Sequence, residues 1–377
     1  LEARHGVEIE LHDQLVEYPT GELTLSGGGL GAELTHKDVL WAWPSDWSQT
    51  FTVKVGGVER AYAGGVIFTV DPEGRLQVIN AVPAEKLVRG VVASEVYTSA
   101  PMESLKAQSV AARGEVLSYV GARHLGEPYR LCDEVHCQAY KGVGAEHPRT
   151  NEAVEATRGE VMVEASSLGE EWRIVDARYS ASSGGYSENN ENVWRDAPKG
   201  YLRGRPDAVG ALPVQFEGGI TEQNIAAWLA SDHPAWSNTQ DFGGGNTWRW
   251  EKTVEAGVVQ AWLDKHFQIG RLREAQVLAR GVSGRVIELR FVGDRGEAVL
   301  ERELAVRRAF GGLRSSMFTM KIDRDAKGYP ARFHFRGGGF GHGVGMCQTG
   351  AMIMGRTKRY DDILSFYYQG VSLRRVY

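Results

Sequence analysis

Glu95 is the first side chain whose position carries chemical meaning. Leu87, Val91 and Glu95 recur at i, i+4 and i+8, with Val88, Val92 and Val96 as the adjacent row. This spacing predicts a buried helix that turns a carboxyl group toward apolar packing. A carboxyl desolvated in this way resists ionising, so its pKa rises, which is what a general acid near neutral pH requires. A plainer role fits the same spacing: a helix-end glutamate at the rim of the core, paired with an arginine such as Arg113.

A second cluster comprises His124, Cys132, His136 and Cys137. Two thiolates and two imidazoles this close in sequence can fill a tetrahedral zinc site. Adjacent ligands at 136 and 137 would need an unusual backbone, so a site using one of that pair is also open. A Cys132–Cys137 disulfide, expected in an exported protein, and a pair of buried free thiols are the alternatives.

Residues 337–350 contain seven glycines among fourteen positions, with His342 and Gln348 standing inside this frame. Glycine permits positive φ and lets backbone N–H groups approach a ligand, so the segment reads as a ligand-lining loop or a set of tight turns. No Gly-Lys-Ser or Gly-Lys-Thr follows, which excludes a P-loop, and the dinucleotide fingerprint also fails. Ser182 and Ser183, in Tyr179-Ser180-Ala181-Ser182-Ser183-Gly184-Gly185-Tyr186, can line a polar groove or simply form a turn. They do not sit in a Gly-x-Ser-x-Gly elbow. Trp41, Trp43 and Trp47 cluster in one loop-like stretch. Exposed indoles stack on sugar faces, whereas core packing is the expectation for most of the ten tryptophans.

The elements that must position these groups read as an α+β protein. Residues 1–80 form an antiparallel β-rich region, with alternation in Val7–Leu11, Leu23–Leu25 and Phe51–Val55 and turns at Gly27–Gly29, Gly56–Gly57 and Gly64–Gly65. Pro83 opens the Glu95 helix, Ala100-Pro101 ends it, and a second helix runs from about 102 to 122 with Leu105, Ser109, Ala112, Val116 and Tyr119 inward. Residues 123–150 read as a loop held by something local, and Ile174–Ser180 as a strand. The expected division is a helical core over 81–204, an inserted α/β subdomain over 205–310 and the rest of the core over 311–377. The insertion carries a helix near 223–230 and a strand over 286–291. Short helices near 347–355 and 361–368 close the chain.

Composition bounds the function classes. The chain has 377 residues and a net charge of −5, so it lacks the basic excess of a non-specific nucleic-acid binder. No apolar run reaches the length of a transmembrane helix. No signal peptide or anchor is visible, and because the chain begins with Leu this says little about compartment. Three cysteines argue against a disulfide scaffold.

Taken in order, six stretches resemble the SpoIID/LytB family of bacterial cell-wall proteins. They are Leu87–Glu95, Leu105–Arg113, His136-Cys137-Gln138-Ala139-Tyr140, Ser182-Ser183-Gly184-Gly185, Gly341–Gln348 and Ile363–Tyr368. The resemblance implies a lytic transglycosylase that cleaves peptidoglycan glycan strands between N-acetylmuramic acid and N-acetylglucosamine, with Glu95 as its single acid and base. It also implies structural zinc at His136 and Cys137 by motif and at Cys132 by position, with His124 the remaining candidate. Ser182, Ser183, His342 and Gln348 become the candidates for hydrogen bonds to the sugars. Val96-Tyr97 departs from the Met-Pro common among relatives and sits beside the catalytic position. An extracytoplasmic location follows, with an amidase as a possible partner. Two rival classes stay open: a binding module that enhances an amidase without chemistry of its own, and a zinc hydrolase, which would need an open metal position although no His-Glu-x-x-His is present.

Overall fold

Period-two patterning sets the first strands of the fold. The computed structural model describes residues 8–11, 39–43, 50–55, 58–72, 76–120, 122–133, 137–165 and 172–377. Six strands come first: β1 (Glu8–Leu11), β2 (Val39–Ala42), β3 (Thr50–Val55), β4 (Val58–Ala63), β5 (Gly65–Val70) and β6 (Leu76–Ala81). They form two antiparallel three-stranded sheets, ordered β1-β3-β4 and β2-β5-β6. The alternation expected at Leu23–Leu25 and the turns expected at Gly27–Gly29 and Gly56–Gly57 lie outside the described residues.

By packing, the chain divides into two compact units. Residues 1–99, 108–161 and 375–377 form the first, and residues 100–107 and 162–374 the second. The first contains the six strands, α1 (Ala84–Glu95), most of α2 (Met102–Tyr119) and α3 (Pro148–Ala156). Its core joins Leu40, Phe51, Val66 and Phe68 of the sheets to Val88, Val91 and Val92 of α1 and Ala112 of α2. α1 begins at Pro83, whose carbonyl accepts from the Leu87 N–H, and stops where Val96 turns extended. The inward row of α2 is the expected one, with Leu105, Ser109, Ala112, Val116 and Tyr119 all buried. The helix stops at Tyr119, short of 122, because the Tyr119 carbonyl takes the N–H groups of both Ala122 and Arg123 in a closing turn.

A buried ion pair ties the two helices of this unit together. Arg113 on α2 is fully buried and donates two 2.9 Å bonds to the two oxygens of Glu85 in the first turn of α1. It also donates to the carbonyls of Val154 and Glu160. Glu85 takes two further donors, the Gly159 N–H and, at 2.7 Å, the Tyr377 hydroxyl. The Val376 N–H bonds to the Gly159 carbonyl, which returns the 375–377 stretch to this unit.

The second unit opens with β7 (Glu160–Ala165), which straddles the division, β8 (Trp172–Ile174) and β9 (Tyr179–Ser180). The strand expected over 174–180 is therefore broken. The Arg178 N–H turns back to the Asp176 carbonyl at 3.0 Å, a tight turn that an extended strand does not make, and the two side chains form a 2.8 Å ion pair. Next come α4 (Ile225–Ala230), α5 (Gly244–Trp248), β10 (Arg249–Glu255), α6 (Ala256–His266), β11 (Leu272–Arg280), β12 (Val286–Gly293), β13 (Glu297–Glu301) and α7 (Glu303–Ala309). β14 (Phe318–Arg324), β15 (Pro330–Gly338), β16 (Met346–Cys347), α8 (Gln348–Met354), α9 (Tyr360–Tyr367) and β17 (Ser372–Arg375) complete it. Antiparallel sheets β10-β15-β14 and β11-β12-β13 share one core with α6 and α7, around Phe291, Phe310, Phe318, Phe333 and Phe335. Residues on both sides of position 310 belong to that core. The fold is α+β.

Two tryptophans depart from the expected core packing. Trp41 lies in β2, not in a loop, and both Trp41 and Trp43 are exposed. Trp47 lies outside the described residues. Trp228, Trp248 and Trp250 do pack inside.

Removing one partner of a buried ion pair strands the other. Arg113→Ala is expected to lower the unfolding free energy by about 3–5 kcal/mol in a urea titration, with Glu85→Leu/Arg113→Met recovering most of the loss. Burial pushes the Glu85 carboxyl up, but Arg113, Tyr377 and the Gly159 N–H outweigh it and hold the pKa below its ordinary value. The stabilisation is therefore present above the unfolded-state pKa and disappears as pH falls through the folded-state one. The difference in urea midpoint between wild type and the double variant should shrink on acidification.

Candidate functional site

Glu95 is the last residue of α1, a half-buried carboxyl at a helix C-terminus. Burial there pushes its pKa up, against the Ala139 N–H and the charge of Lys141. The negative end of the helix dipole acts in the same direction as burial. Oε1 accepts the Ala139 N–H at 3.0 Å. The plainer expectation, a Glu95–Arg113 pair, is corrected by the structure: Arg113 is held by Glu85 at the opposite end of the helix. Val96 is half-buried against the core beside Glu95, and Tyr97 is exposed.

The donor of that hydrogen bond belongs to a four-residue run with four separate anchors. The Cys137 sulfur lies 3.3 Å from His124 Nε2. The Gln138 side-chain amide donates to the Ala112 carbonyl and to Glu115 Oε2, both on α2. The Ala139 N–H reaches Glu95. The Tyr140 ring enters the core and its hydroxyl donates to Asn80 Oδ1 on β6. The position of the N–H facing Glu95 is thus set from both sides.

His124, Cys132 and Cys137 place one nitrogen and two sulfurs within 4.8 Å of one another. With Zn–S near 2.3 Å and Zn–N near 2.0 Å, ligand atoms on a tetrahedron sit about 3.5–3.8 Å apart, so the cluster is the right size for one ion. Its donors are also the soft set that zinc prefers. No disulfide joins Cys132 and Cys137 in this structure. Burial pushes the Cys137 thiol up, and Arg123 Nη1 lies 4.0 Å from its sulfur. His124 takes a left-handed backbone (φ 49°), a conformation few non-glycine residues adopt. His136 lies outside the described residues.

The second unit holds the other four candidates, and the side chains of Ser182, Ser183 and His342 bond within it. Ser182 and Ser183 are fully buried. The Ser182 hydroxyl accepts the Gly184 N–H. The Ser183 hydroxyl donates to Asp207 Oδ2 and accepts the Gly185 N–H. Asp207 is buried, which pushes its pKa up, and it also accepts the Tyr367 hydroxyl at 2.7 Å and the Ser237 N–H. Gln348 is buried at the start of α8. His342 Nδ1 accepts the Val344 N–H, and the ring also bonds the Tyr179 backbone. Burial and the charges of Arg178, Arg285 and Arg307 push this imidazole down to about 3, so it is neutral, with Trp194 edge-on at 4.8 Å.

Two glycines of the rich segment, Gly339 and Gly343, close on Arg285. This arginine is fully buried and donates to the carbonyls of Tyr186 and Ser183 and to the Ser283 hydroxyl. That hydroxyl in turn donates to the buried Glu188. Gly343 lies flat against the guanidinium: a Cβ there would sit 2.3 Å from its central carbon, and its φ is +78°. At 343 the segment, read as a ligand-lining loop or a set of tight turns, packs against an internal cation. Sequence reasoning gave no role to Arg285, Glu188, Asp207, Gln138 or Glu85. Only Gln138 had a local signal, its place inside the His-Cys-Gln stretch.

Comparison with known proteins agrees with this architecture. Residues 72–163 match the family described as Stage II sporulation protein (SpoIID), and residues 188–345 match one described as Domain of unknown function (DUF8618). The Stage II sporulation protein D of Bacillus subtilis is 25% identical, over 79% of this chain and 76% of that protein. The amidase enhancer of the same organism is 26% identical over 97% of this chain, which spans about half (52%) of that longer protein. An uncharacterised protein of Brachyspira hyodysenteriae is 25% identical over 85% of this chain and 73% of its own length. Similarity to Stage II sporulation protein D thus extends beyond residues 72–163, at 25–27% identity over 78–79% of this chain. Among the described residues, no helix is long and apolar enough to cross a membrane.

Gly343→Ala combines a strained φ with a clash against a buried side chain, and should cost about 2–5 kcal/mol of stability. Gly296→Ala has open space at its Cβ and should be close to neutral. Urea titrations of the two variants test the contrast.

Proposed function

We propose that the protein is a peptidoglycan lytic transglycosylase that works outside the cytoplasm with Glu95 as its single acid and base. The observation that carries this reading is the state of Glu95: a half-buried carboxyl with a raised pKa, which accepts the Ala139 N–H while Arg113 is taken by Glu85.

Protonated Glu95 gives its proton to the oxygen linking N-acetylmuramic acid to N-acetylglucosamine. The C1–O bond breaks, the N-acetylglucosamine end leaves as an alcohol, and an oxocarbenium-like centre remains on the muramyl C1. Ionised Glu95 then takes the proton of the muramyl 6-hydroxyl as that oxygen bonds to C1. The product is a 1,6-anhydro ring and the carboxyl is protonated again. An internal nucleophile needs no second carboxylate to activate water, unlike ordinary glycoside hydrolysis. The Ala139 N–H stabilises the carboxylate between the two transfers.

His124, Cys132 and Cys137 fit a structural zinc ion, with His136 the sequence candidate for a fourth ligand. The chemistry it would supply is a cross-link between the 124 and 132–137 stretches. The residues then fix Ala139 opposite Glu95 through Cys137 and Gln138. We assign Ser182, Ser183, His342 and Gln348 to holding the glycine-rich segment. The likeness to an amidase enhancer favours one alternative, in which the chain binds cell wall and stimulates an amidase without cleaving glycan.

Digestion of peptide-stripped glycan strands separates the two. Wild type should generate anhydro-muramyl ends, and Glu95→Gln should lose about 10²–10⁴-fold of that rate. Absence of anhydro ends with wild type leaves the enhancer. The acid step needs the protonated form, so the rate should fall as pH rises through the Glu95 pKa, on a limb above the ordinary carboxyl value. Because ionising Glu95 in the fold is unfavourable, Glu95→Gln should be as stable as wild type or more so at neutral pH. Metal analysis should find one zinc per chain, lost in Cys137→Ser. A zinc-free wild type would remove the metal from this account.

A further inference from the structure

A glycine inside α1 and the stretch that carries the Ala139 N–H fit together at close range. Gly90 sits mid-helix and is buried. Glycine inside a helix is less favourable than alanine, so its presence there calls for a local reason. The reason is the stretch over 140–142. A Cβ at position 90 would lie 2.7 Å and 3.0 Å from two carbons of the Tyr140 ring and 3.1 Å from the Gly142 carbonyl oxygen. Further along the same helix, Glu95 Oε1 takes the Ala139 N–H at 3.0 Å. Sequence numbers rise along one segment as they fall along the other. Residues 139–142 therefore run antiparallel along about the last turn and a half of α1, touching it at Gly90 and at Glu95.

The run has little freedom on its other side. The Tyr140 hydroxyl donates to Asn80 Oδ1 at 3.1 Å, and the Asn80 amide is itself held by the Ala63 and Gly65 carbonyls at 2.8 Å and 3.0 Å. The ring packs on Tyr62, with centroids 5.8 Å apart. At Gly142 φ is +73°, and a Cβ would lie 2.1 Å from the Ala61 carbonyl oxygen on β4. The Tyr140 ring cannot swing away from a new methyl group at 90 without giving up a hydrogen bond inside the core. The backbone over 139–142 must then lift from the helix, and Ala139 is its point of contact with the acid.

We infer that Gly90 is a positioning residue for the acid: by letting residues 139–142 lie against α1, it sets how closely the Ala139 N–H meets the Glu95 carboxyl. The inference deepens the transglycosylase reading and rests on it for its place in a reaction. A donor N–H favours the ionised carboxyl, so this contact opposes the rise that burial produces. Lys141 belongs to the same run and its charge acts in the same direction. The neighbouring charges are engaged elsewhere. Glu85 and Arg113 close on each other at the far end of α1. Arg89 on α1 pairs with Glu155 of α3 at 3.1 Å, and Arg149 of α3 donates to the Thr98 carbonyl. Glu115 of α2 takes the Gln138 amide. A single carboxyl that first gives a proton and then takes one needs both of its forms within reach. Gly90 holds that balance from a distance, without touching substrate.

The test titrates the Glu95 carboxyl in the full chain by NMR of isotope-labelled glutamate, assigned with Glu95→Gln, and so reads the group whether or not glycan is cleaved. Gly90→Ala should raise the Glu95 midpoint by about one pH unit. Gly144→Ala, whose Cβ would meet open space, should leave it at the wild-type value. The falling limb of anhydro-product formation should move up with the midpoint in Gly90→Ala. A residue that only packed the core would change the urea midpoint and leave both titrations in place. An unmoved or lowered Glu95 midpoint in Gly90→Ala overturns the proposal. Should that variant not fold, Tyr140→Phe decides. It keeps the ring but frees the run from Asn80, and should shift the midpoint in the same direction by less; no shift overturns the proposal. If wild type makes no anhydro ends, the cleavage reading falls, while the carboxyl titration still decides the role of Gly90.

Discussion

One guanidinium lies within the span of α1, and which carboxylate it serves governs the chemistry of the whole unit. Arg113 is buried and pairs in bidentate fashion with Glu85 at the start of the helix, where the dipole also favours a negative charge. Glu95, at the finish, meets burial and an unfavourable dipole, which outweigh the Ala139 N–H and the charge of Lys141. The two glutamates of one helix are driven in opposite directions, one toward permanent ionisation and the other toward holding its proton. Environments that separate the pKa values of two carboxyls are how one scaffold assigns different work to chemically identical groups.

The stretch from Cys137 to Tyr140 converts that electrostatic difference into a fixed geometry. Its four residues reach a histidine and cysteine cluster, α2, the Glu95 carboxyl and the strand core in turn. A loop anchored this often within four residues cannot move its N–H away from Glu95 without breaking several contacts. The glycine-rich segment follows a similar logic in the second unit. It closes on the buried Arg285, with Ser183 and Glu188 connected through the same hydrogen bonds.

The sequence carried local information well and long-range choices poorly. The i, i+4 spacing of Leu87, Val91 and Glu95 and the inward row of α2 were legible because helical periodicity is a local property. The closeness of Cys132 and Cys137 and the family resemblance were legible for the same reason. The partner of Arg113 was not, since Glu85 and Glu95 both lie within reach by sequence and only the packed helices select one. The same gap affected Ser182, Ser183 and Gln348. Hydroxyls and glycines look alike in a groove and in a cradle, and Arg285 lies some sixty residues from the glycines that enclose it. Trp41 was read as loop because its short strand is flanked by few regular signals, although the alternation was present in Val39–Ala42.

The route of the chain has a consequence for how it matures. Glu85 receives its last hydrogen bond from a residue 292 positions later, and Gly159 takes one from Val376. During synthesis the early strands and helices emerge first, yet this side of their buried carboxylate is not covered until residues 376 and 377 leave the ribosome. Contacts of such long sequence separation close late and slowly. An early-formed first unit therefore waits, partly open around Glu85, for the whole of the second to be made.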